Sequence, residues 1–502
     1  MYVNPNSTII LCKNVPLDNT YEHTIYFANV GEQTSYFTSK AIVTLNAQTY
    51  QRVERGKMRV QVNAESIYTC NYLMFRNTAY GTKWFYAFVT SVEYVNDVTS
   101  EITFMLDSLQ TYWFDITRKP CYVEREHSAT DNIGENLVPE PIAIPQLHIF
   151  DKKDWYFDSS HTTWYVDIYV KAPFAASWLA DYPAVIYVEN QIGCSRISLP
   201  VDTPNFQDVL NDLLLDLARG QYEVICGYMV NDDLVMPQPQ LLSIALPRPT
   251  YFKGYNANES DYTTVKNNKL FTAPFNKLLV TSSEGDSAEY NWDAVDVNNI
   301  AFYLYSNSSN TPSCELRPVD YEDASGVRLK TVGLHDFPKV NFTEYSGITP
   351  TNLTSAFQKV ENGLTAPKHP AEIATQATIS SLMNIAFDTG KNVPSTTGSN
   401  LDIKFNTYGF QFYTMTLRAS DAERIDNFFS KYGYATQKIK VPNVFARANW
   451  TYTKTKGCVI VGNAPADDVK KICQIFDNGI TFWVDGDNVG NYGDLSNPVA
   501  VG

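Results

Sequence analysis

The sequence predicts a mainly β, multidomain protein with α+β parts, on three observations. Aromatic residues make up 14% of the chain, with 33 Tyr and 27 Phe, and aromatic and β-branched side chains suit pleated, half-buried surfaces. Runs such as Thr163–Val170 (TWYVDIYV) and Trp84–Val95 (WFYAFVTSVEYV) carry this composition in strand-length pieces. Finally, 502 residues exceed one ordinary domain, and a hydrophobic fraction of 44% is enough to bury several cores.

The first 120 residues read as nearly all strand. Ala41–Leu45, Arg59–Val62, Trp84–Val95 and Glu101–Leu106 are short apolar or alternating runs separated by polar turns, and residues 96–100 (NDVTS) close a hairpin between the last two. Residues 121–250 are mixed. Thr203 as cap, Pro204 in the first turn and Gly220 at the end delimit a helix. Its apolar face is Phe206, Val209, Leu210, Leu213, Leu214 and Leu217, with Asp208, Asp212 and Asp216 directed elsewhere. The Pro-rich Met236–Pro249 reads as a linker or domain edge. Strands return over 251–345, including Ala301–Tyr305.

Tyr345–Asn400 differs in kind. It is poor in aromatics, rich in Thr, Ser, Ala and Asn, and carries Pro350, Pro367, Pro370 and Pro394. Such a segment inside a compact protein reads as a functional or disordered loop. Order resumes with the alternating Leu401–Leu417. Ser420-Asp421-Ala422-Glu423 then reads as a capping box. The helix it opens places Ile425, Phe428, Phe429 and Tyr432 on one face and stops at Gly433. A last helix follows Pro465, burying Val469, Ile472, Cys473 and Phe476 and ending at Asn478-Gly479.

A formal charge of −15 withholds the basic footprint that grips phosphates, so stable nucleic-acid binding is not expected. The opening MYVNPNSTIILCKNVPLDN has no basic region leading into an apolar core and does not read as a signal peptide. No stretch approaches the ~18 apolar residues of a membrane-spanning helix. The eight cysteines form no C-x-x-C pair and are expected to be reduced, free thiols. No metal site, cofactor or catalytic motif is recognised. Glu124-Arg125-Glu126-His127 lacks the order that puts two histidines on one helical face and reads as a solvated charge run. Asp485-Gly486-Asp487-Asn488 resembles the start of a calcium loop but meets Ser496 at the twelfth position, so it reads as a surface turn, as does Asp232-Asp233. No nucleophile elbow or phosphate-binding loop is found.

Several stretches point to one family. Asp107–Asp115 (DSLQTYWFD), Cys121–His127 (CYVEREH) and Asp131–Glu140 (DNIGENLVPE) resemble the N-terminal signature of picovirus tail-knob proteins, from small short-tailed phages of Gram-positive hosts. At the other end Asn427–Tyr434 (NFFSKYGY), Val441–Asn443, Arg447–Thr455 (RANWTYTKT) and Gly462–Trp483 are similar to the same family. Trp450, Phe428 and Trp483 in these stretches read as core.

The resemblance implies a homo-hexameric distal tail tube built from β-barrel domains assembled in a ring. It implies a loop from each subunit that plugs the lumen and contacts the host membrane, passage of double-stranded DNA without specific binding, and a proximal tail (lower collar) partner. On that plan residues 1–120 are a first tube domain and 121–250 an outer domain. Residues 251–345 are a second tube region, 346–400 the plug, and 401–502 the part that completes the second tube domain. The protein is then a structural virion component at the tail tip, made in the host cytoplasm, and not an enzyme. Within the plug, Ala371–Phe387 has membrane-active character: Ile373, Ala374, Ala377, Ile379, Leu382, Met383, Ile385, Ala386 and Phe387 supply its apolar sector. As a helix it measures ~25 Å against a ~30 Å hydrocarbon core. Two other readings of the chain are a receptor-binding protein that uses exposed aromatics on wall carbohydrate, and a cell-wall hydrolase.

Overall fold

The structure is a computed structural model. It describes residues 6–500 apart from 341–408 and shorter stretches, the longest being 49–55, 157–163, 232–239 and 322–330. Strands dominate the described residues. The chain divides into two compact units, and each draws on distant parts of the sequence. One unit combines Met1–Pro145, Lys253–Leu270 and Arg418–Gly502; the other combines Gln146–Phe252 and Phe271–Leu417.

The first unit contains a six-stranded antiparallel sheet. Its order is Ala41–Gln48, Ser7–Lys13, Cys70–Asn77, Phe85–Asn96, Thr99–Leu106 and Lys57–Val60. The 85–96 and 99–106 strands form the expected hairpin, turning at Asp97-Val98. Alternation sends Ile9, Leu11, Leu73, Ala87 and Ile102 to one face, into a small core with Met58 and Val60. Ile10, Cys12, Tyr72, Met74, Tyr86 and Phe88 go to the other face and pack with residues from the far end of the chain, Ile472, Phe476, Ile480 and Phe482.

That long-range core continues into a five-stranded mixed sheet of order His23–Ile25, Ile480–Trp483, Trp450–Lys456, Cys121–Glu126 and Tyr434–Lys440. Its first two strands pair in parallel, Ile25 opposite Trp483. The Cys121–Glu126 strand runs between two C-terminal strands, with Glu126 opposite both Tyr434 and Thr453. The first domain plan ends the opening domain at residue 120 and joins 401–502 to the second tube region. The compact units are drawn otherwise: 121–145 and 418–502 fold with the N-terminal strands. The physical reason is that the strand at 121–126 is completed by partners more than 300 residues away, which no local pattern can announce.

In the second unit a four-stranded sheet sets the Gly409–Thr416 strand between His148–Tyr156 and Asn276–Ser282, with Ser287–Tyr290 outermost. A five-stranded sheet centres on Trp164–Lys171, and another four-stranded sheet contains Phe302–Asn307 and Ser313–Pro318. One core gathers Val166, Ile168 and Leu199 with Leu278, Val280, Phe302, Phe410 and Phe412. The stretches 146–252 and 271–334 therefore share one interior rather than forming separate layers.

The Phe206–Arg219 helix buries Leu210, Leu213 and Leu217 in this core, as its spacing predicts. It begins later than Thr203 and Pro204 suggest. Asn205 takes a left-handed φ of 56° just before it, and the buried Thr203 hydroxyl has no hydrogen-bond partner among the described residues. The Pro-rich stretch is not a free linker either. Gln240–Leu241 pairs with the Phe302–Asn307 strand, and Leu242 and Leu246 are buried.

Candidate functional site: a buried polar junction

Five of the signature stretches converge in the first unit on one buried network of charges and hydrogen bonds. The Arg125 side chain leaves the Cys121–Glu126 strand, lies with its guanidinium 4.7 Å from the Phe428 ring centre and donates to the Gly433 carbonyl at 2.6 Å. It also pairs with Glu140, whose carboxylate is fully buried. Glu140 accepts in addition from Lys269 Nζ at 2.5 Å and from the Ala435 amide at 2.9 Å. Lys269, likewise buried, donates to the Val138 carbonyl at 2.7 Å and stands 5.3 Å over the Tyr434 ring. Burial lowers its pKa, and the Glu140 carboxylate opposes that shift. One carboxylate thus holds two cations and a backbone amide in a dry site, where leaving either cation unpaired is costly.

A second carboxylate pair sits alongside. Asp131 accepts from the Tyr434 hydroxyl at 2.6 Å and lies 3.9 Å from the buried Arg447 guanidinium. Asp426, completely buried on the Ala419–Tyr432 helix, accepts from the Tyr262 hydroxyl at 2.5 Å, the Lys266 amide at 2.8 Å and Asn267 Nδ2 at 2.8 Å. Asn267 also donates to Ser430 Oγ at 2.8 Å and accepts from Tyr434. Burial raises the pKa of both acids, and the hydrogen bonds to their ionised forms work against it.

His127 shows what this environment does to an ionisable group. Its Nδ1 accepts from the Tyr452 amide at 2.7 Å, so Nε2 carries the proton and donates to the Ser430 carbonyl at 3.1 Å. Burial, reinforced by the Arg447 charge, pushes its pKa down to about 3. The ring is a neutral spacer held at both nitrogens. The same Ser430 carbonyl accepts from Trp450 Nε1 at 2.8 Å. Glu126 completes the set, accepting from Lys440 at 2.5 Å and from the Asn443 amide at 3.0 Å. Glu140 thus faces Arg125 and Lys269, Glu126 faces Lys440 and Asp131 faces Arg447, whereas Asp426 is held by neutral donors.

This overturns the reading of Glu124–His127 as a solvated run: Arg125, Glu126 and His127 are 8%, 3% and 2% exposed. The partners that permit burial come from residues 140, 430, 433, 440, 443 and 452, so the local sequence of like and unlike charges carries no sign of them. Trp450 and Trp483 are core, as expected, whereas Phe428 is half-buried under Arg125.

The capping box at Ser420 is also replaced. The helix opens at Ala419 with no cap from Arg418, and Glu259 accepts from the Ser420 amide at 2.9 Å while Ala419 donates to the Lys253 carbonyl at 2.8 Å. Hydrogen bonds from Ser420 and Tyr255 hold the Glu259 pKa at about 2. A carboxylate from a distant segment does what a local side chain was expected to do at the positive end of the helix.

The remaining N-terminal signature, Asp107–Asp115, packs elsewhere in the same unit. Asp107 caps the Ser108–Tyr112 helix by accepting from the Gln110 amide at 3.0 Å, and it accepts from the Tyr72 hydroxyl at 2.9 Å. Gln110 reaches Thr24 and the Ile25 carbonyl at 2.9 and 2.8 Å. Burial pushes the Asp107 pKa up to about 6.

Among the described residues no group of His, Cys, Asp or Glu is arranged to hold a metal, and no helix is long and apolar enough to cross a membrane. The expected plug residues Ile373, Ala374, Ala377, Ile379, Leu382, Met383, Ile385, Ala386 and Phe387 lie outside the described residues.

Comparisons with known proteins follow the same two ends. The family model of the caudoviral major tail protein N-terminus matches residues 5–118. The model of the C-terminal domain of the Bacillus phage phi29 tail knob protein gp9 matches residues 342–497. The tail knob protein gp9 of Bacillus phage B103 is 24% identical over 584 aligned residues, covering 97% of each chain. That of Bacillus phage phi29 is 23% identical, covering 97% of this chain and 98% of its own. The solved tail knob protein gp12 of bacteriophage C1 shares the fold, with a TM-score of 0.60 at 12% identity over 98% of this chain and 100% of that one. A two-unit β fold whose ends join in one buried junction, matched in this way, defines a structural protein of a bacteriophage tail. The chain is similar over nearly its whole length to the tail knob proteins gp9 of phi29 and its Bacillus phage relatives.

Proposed function

We propose that six copies of this chain form the distal tube, or knob, of a short phage tail, attached to the proximal tail (lower collar) protein and open to the passage of double-stranded DNA. The observation that carries this reading is end-to-end similarity to tail knob proteins, with 97% of both chains aligned in one case. The fold is consistent with it. Closing a ring removes exposed sheet edges that isolated β domains must otherwise protect. A conduit requires no catalytic residue, and a net charge of −15 lets a like-charged polymer slide without being held. The role is structural and non-enzymatic, in a virion protein made in the host cytoplasm and carried at the tail tip. On this reading residues 346–400 form the plug.

Electron microscopy of the purified chain tests the assembly. Six-fold rings with an open axis are expected, and a monomer that persists at high concentration overturns the proposal. The plug is tested separately by deleting 365–395, which should leave rings intact but unblocked and abolish liposome leakage at acidic pH. Unchanged leakage, or none from the full chain, removes the membrane role of Ile373–Phe387 while leaving the ring untouched.

A further inference from the structure

Charges of opposite sign are left unpaired at the two ends of one strand in the first unit. At the near end, the Tyr86 amide donates to Thr111 Oγ1 at 3.0 Å and Lys83 pairs with Asp115, so Trp113 lies by the start of the Phe85–Asn96 strand. The Arg118 guanidinium stands 5.2 Å from the Trp113 ring centre, and its Nη1 is buried without a hydrogen-bond partner. No carboxylate is paired with Arg118 among the described residues. Trp113 meets Tyr26 edge-on at 6.3 Å, and Tyr26 stacks on the exposed Phe445 at 5.1 Å. Val459 and Val461, also exposed, flank the partner of Arg118 in the small sheet of Ile116–Arg118 and Ile460–Gly462, and Lys119 is exposed next to them. The far end is the hairpin turn, where Tyr94 and Val98 are 56% and 62% exposed. Glu93 lies opposite Glu101, whose carboxylate is already held by Arg59 at 3.0 Å, and Asp97 accepts from the Tyr94 hydroxyl at 2.6 Å. Neither Glu93 nor Asp97 has a cation partner among the described residues. The strand between the two ends has 12 residues, which at about 3.3 Å each spans roughly 35 Å, so these charges do not meet within one copy.

We propose that the acidic tip of the 85–106 hairpin of one copy of this chain docks on the Arg118 rim of the next. A guanidinium drawn out of water without an anion is costly, and a carboxylate arriving from a neighbour relieves that cost. The second copy fits the rim on both counts that matter at an interface. Glu93 and Asp97 supply the charge that Arg118 and Lys119 lack, and Tyr94, Val95 and Val98 bring apolar surface to Phe445, Val459 and Val461. Because the two ends of the contact differ, it is head-to-tail, and it closes into a ring where the rotation between copies allows. The inference rests on the six-copy reading only for the number of subunits, since the contact itself needs two.

Zero-length carbodiimide coupling tests the contact in the unmodified full chain. The expected product is an amide between Lys119 and Glu93 or Asp97, present in multimers and absent from monomers, because the length of the strand forbids it within one copy. Arg118→Glu, and separately Glu93→Lys with Asp97→Lys, should each disperse the multimers to monomers, and raised salt should weaken them. Mixing the two variants in equal amounts should restore assembly, because every contact then joins opposite charges. Multimers that persist in Arg118→Glu, or that carry no link between these residues, overturn the contact and leave the six-copy reading standing. Dimers or open chains joined by the link uphold the contact and refute the closed ring. An unmodified chain that stays monomeric overturns both. If a variant fails to fold, the link in the unmodified chain decides alone.

Discussion

Replacing Glu140 with Gln leaves Arg125 and Lys269 in a buried site without their shared anion. Breaking a buried pair costs about 3–5 kcal/mol, because the uncompensated charge stays out of water. Urea unfolding should show a loss of this size, and a change below ~1 kcal/mol removes the junction from the account of stability. His127 sets a pH dependence. The unfolded chain takes up its proton near the ordinary 6.5, the folded chain only near a pKa of about 3. The unfolded state therefore binds more protons across that window, and stability falls as pH drops through it, by on the order of 5 kcal/mol in full. Asp107 has the opposite sign. Its folded pKa of about 6 lies above the unfolded 3.8, so the folded state holds the extra proton and stability falls as pH rises through 4 to 6. The two contributions offset each other between pH 4 and 6. Asp107→Asn should therefore steepen the acid dependence there by about 1.4 kcal/mol per pH unit. Urea midpoints at pH 4.5 and 5.5 check this, and an unchanged slope excludes it.

At the level of elements, the Ala419–Tyr432 helix is closed at both ends by residues of other segments. Glu259→Ala removes the acceptor of the Ser420 amide, so hydrogen exchange at the first turn should quicken while the Phe429 turn is unaffected. Equal exchange in both proteins excludes Glu259 as the cap. At the other end Gly433 has φ 66°, and a Cβ there would lie 2.2 Å from the Glu126 carbonyl oxygen. Gly433→Ala meets strain and backbone contact together, and a loss above ~1 kcal/mol is expected in urea. The helix itself was legible, since Ile425 and Phe429 recur at core spacing and Gly433 marks its stop. Its cap was not, because Ser420-Asp421-Ala422-Glu423 satisfies the local rule and only packing brings Glu259 to the amides. Likewise Asn96-Asp97-Val98-Thr99 revealed its hairpin, a neighbouring pair, while the strand at 121–126 concealed both of its partners.

Over the whole molecule, the two compact units each contain chain from both sides of an insertion, with 253–270 and 418–502 returning to the N-terminal strands. That arrangement leads to a prediction for folding. A fragment ending near residue 420 lacks the Trp450–Lys456 and Ile480–Trp483 strands and the Ile472 and Phe476 side chains of the shared core. It should expose Tyr72, Phe88 and Leu109, bind a hydrophobic dye and fail to melt cooperatively in its N-terminal region. A fragment with native-like unfolding of 1–145 would show that the C-terminal strands are dispensable. The sequence alone determined the β class, the two C-terminal helices with their apolar faces, and the family resemblance, because periodicity and short motifs are properties of neighbouring residues. Only the tertiary structure decided that Arg125, Glu126 and His127 are buried, that Glu140 holds Arg125 and Lys269, and that residues 418–502 complete the first unit. The physical reason is that a buried charge is stabilised by partners in space, and here those partners lie up to about three hundred residues away along the chain.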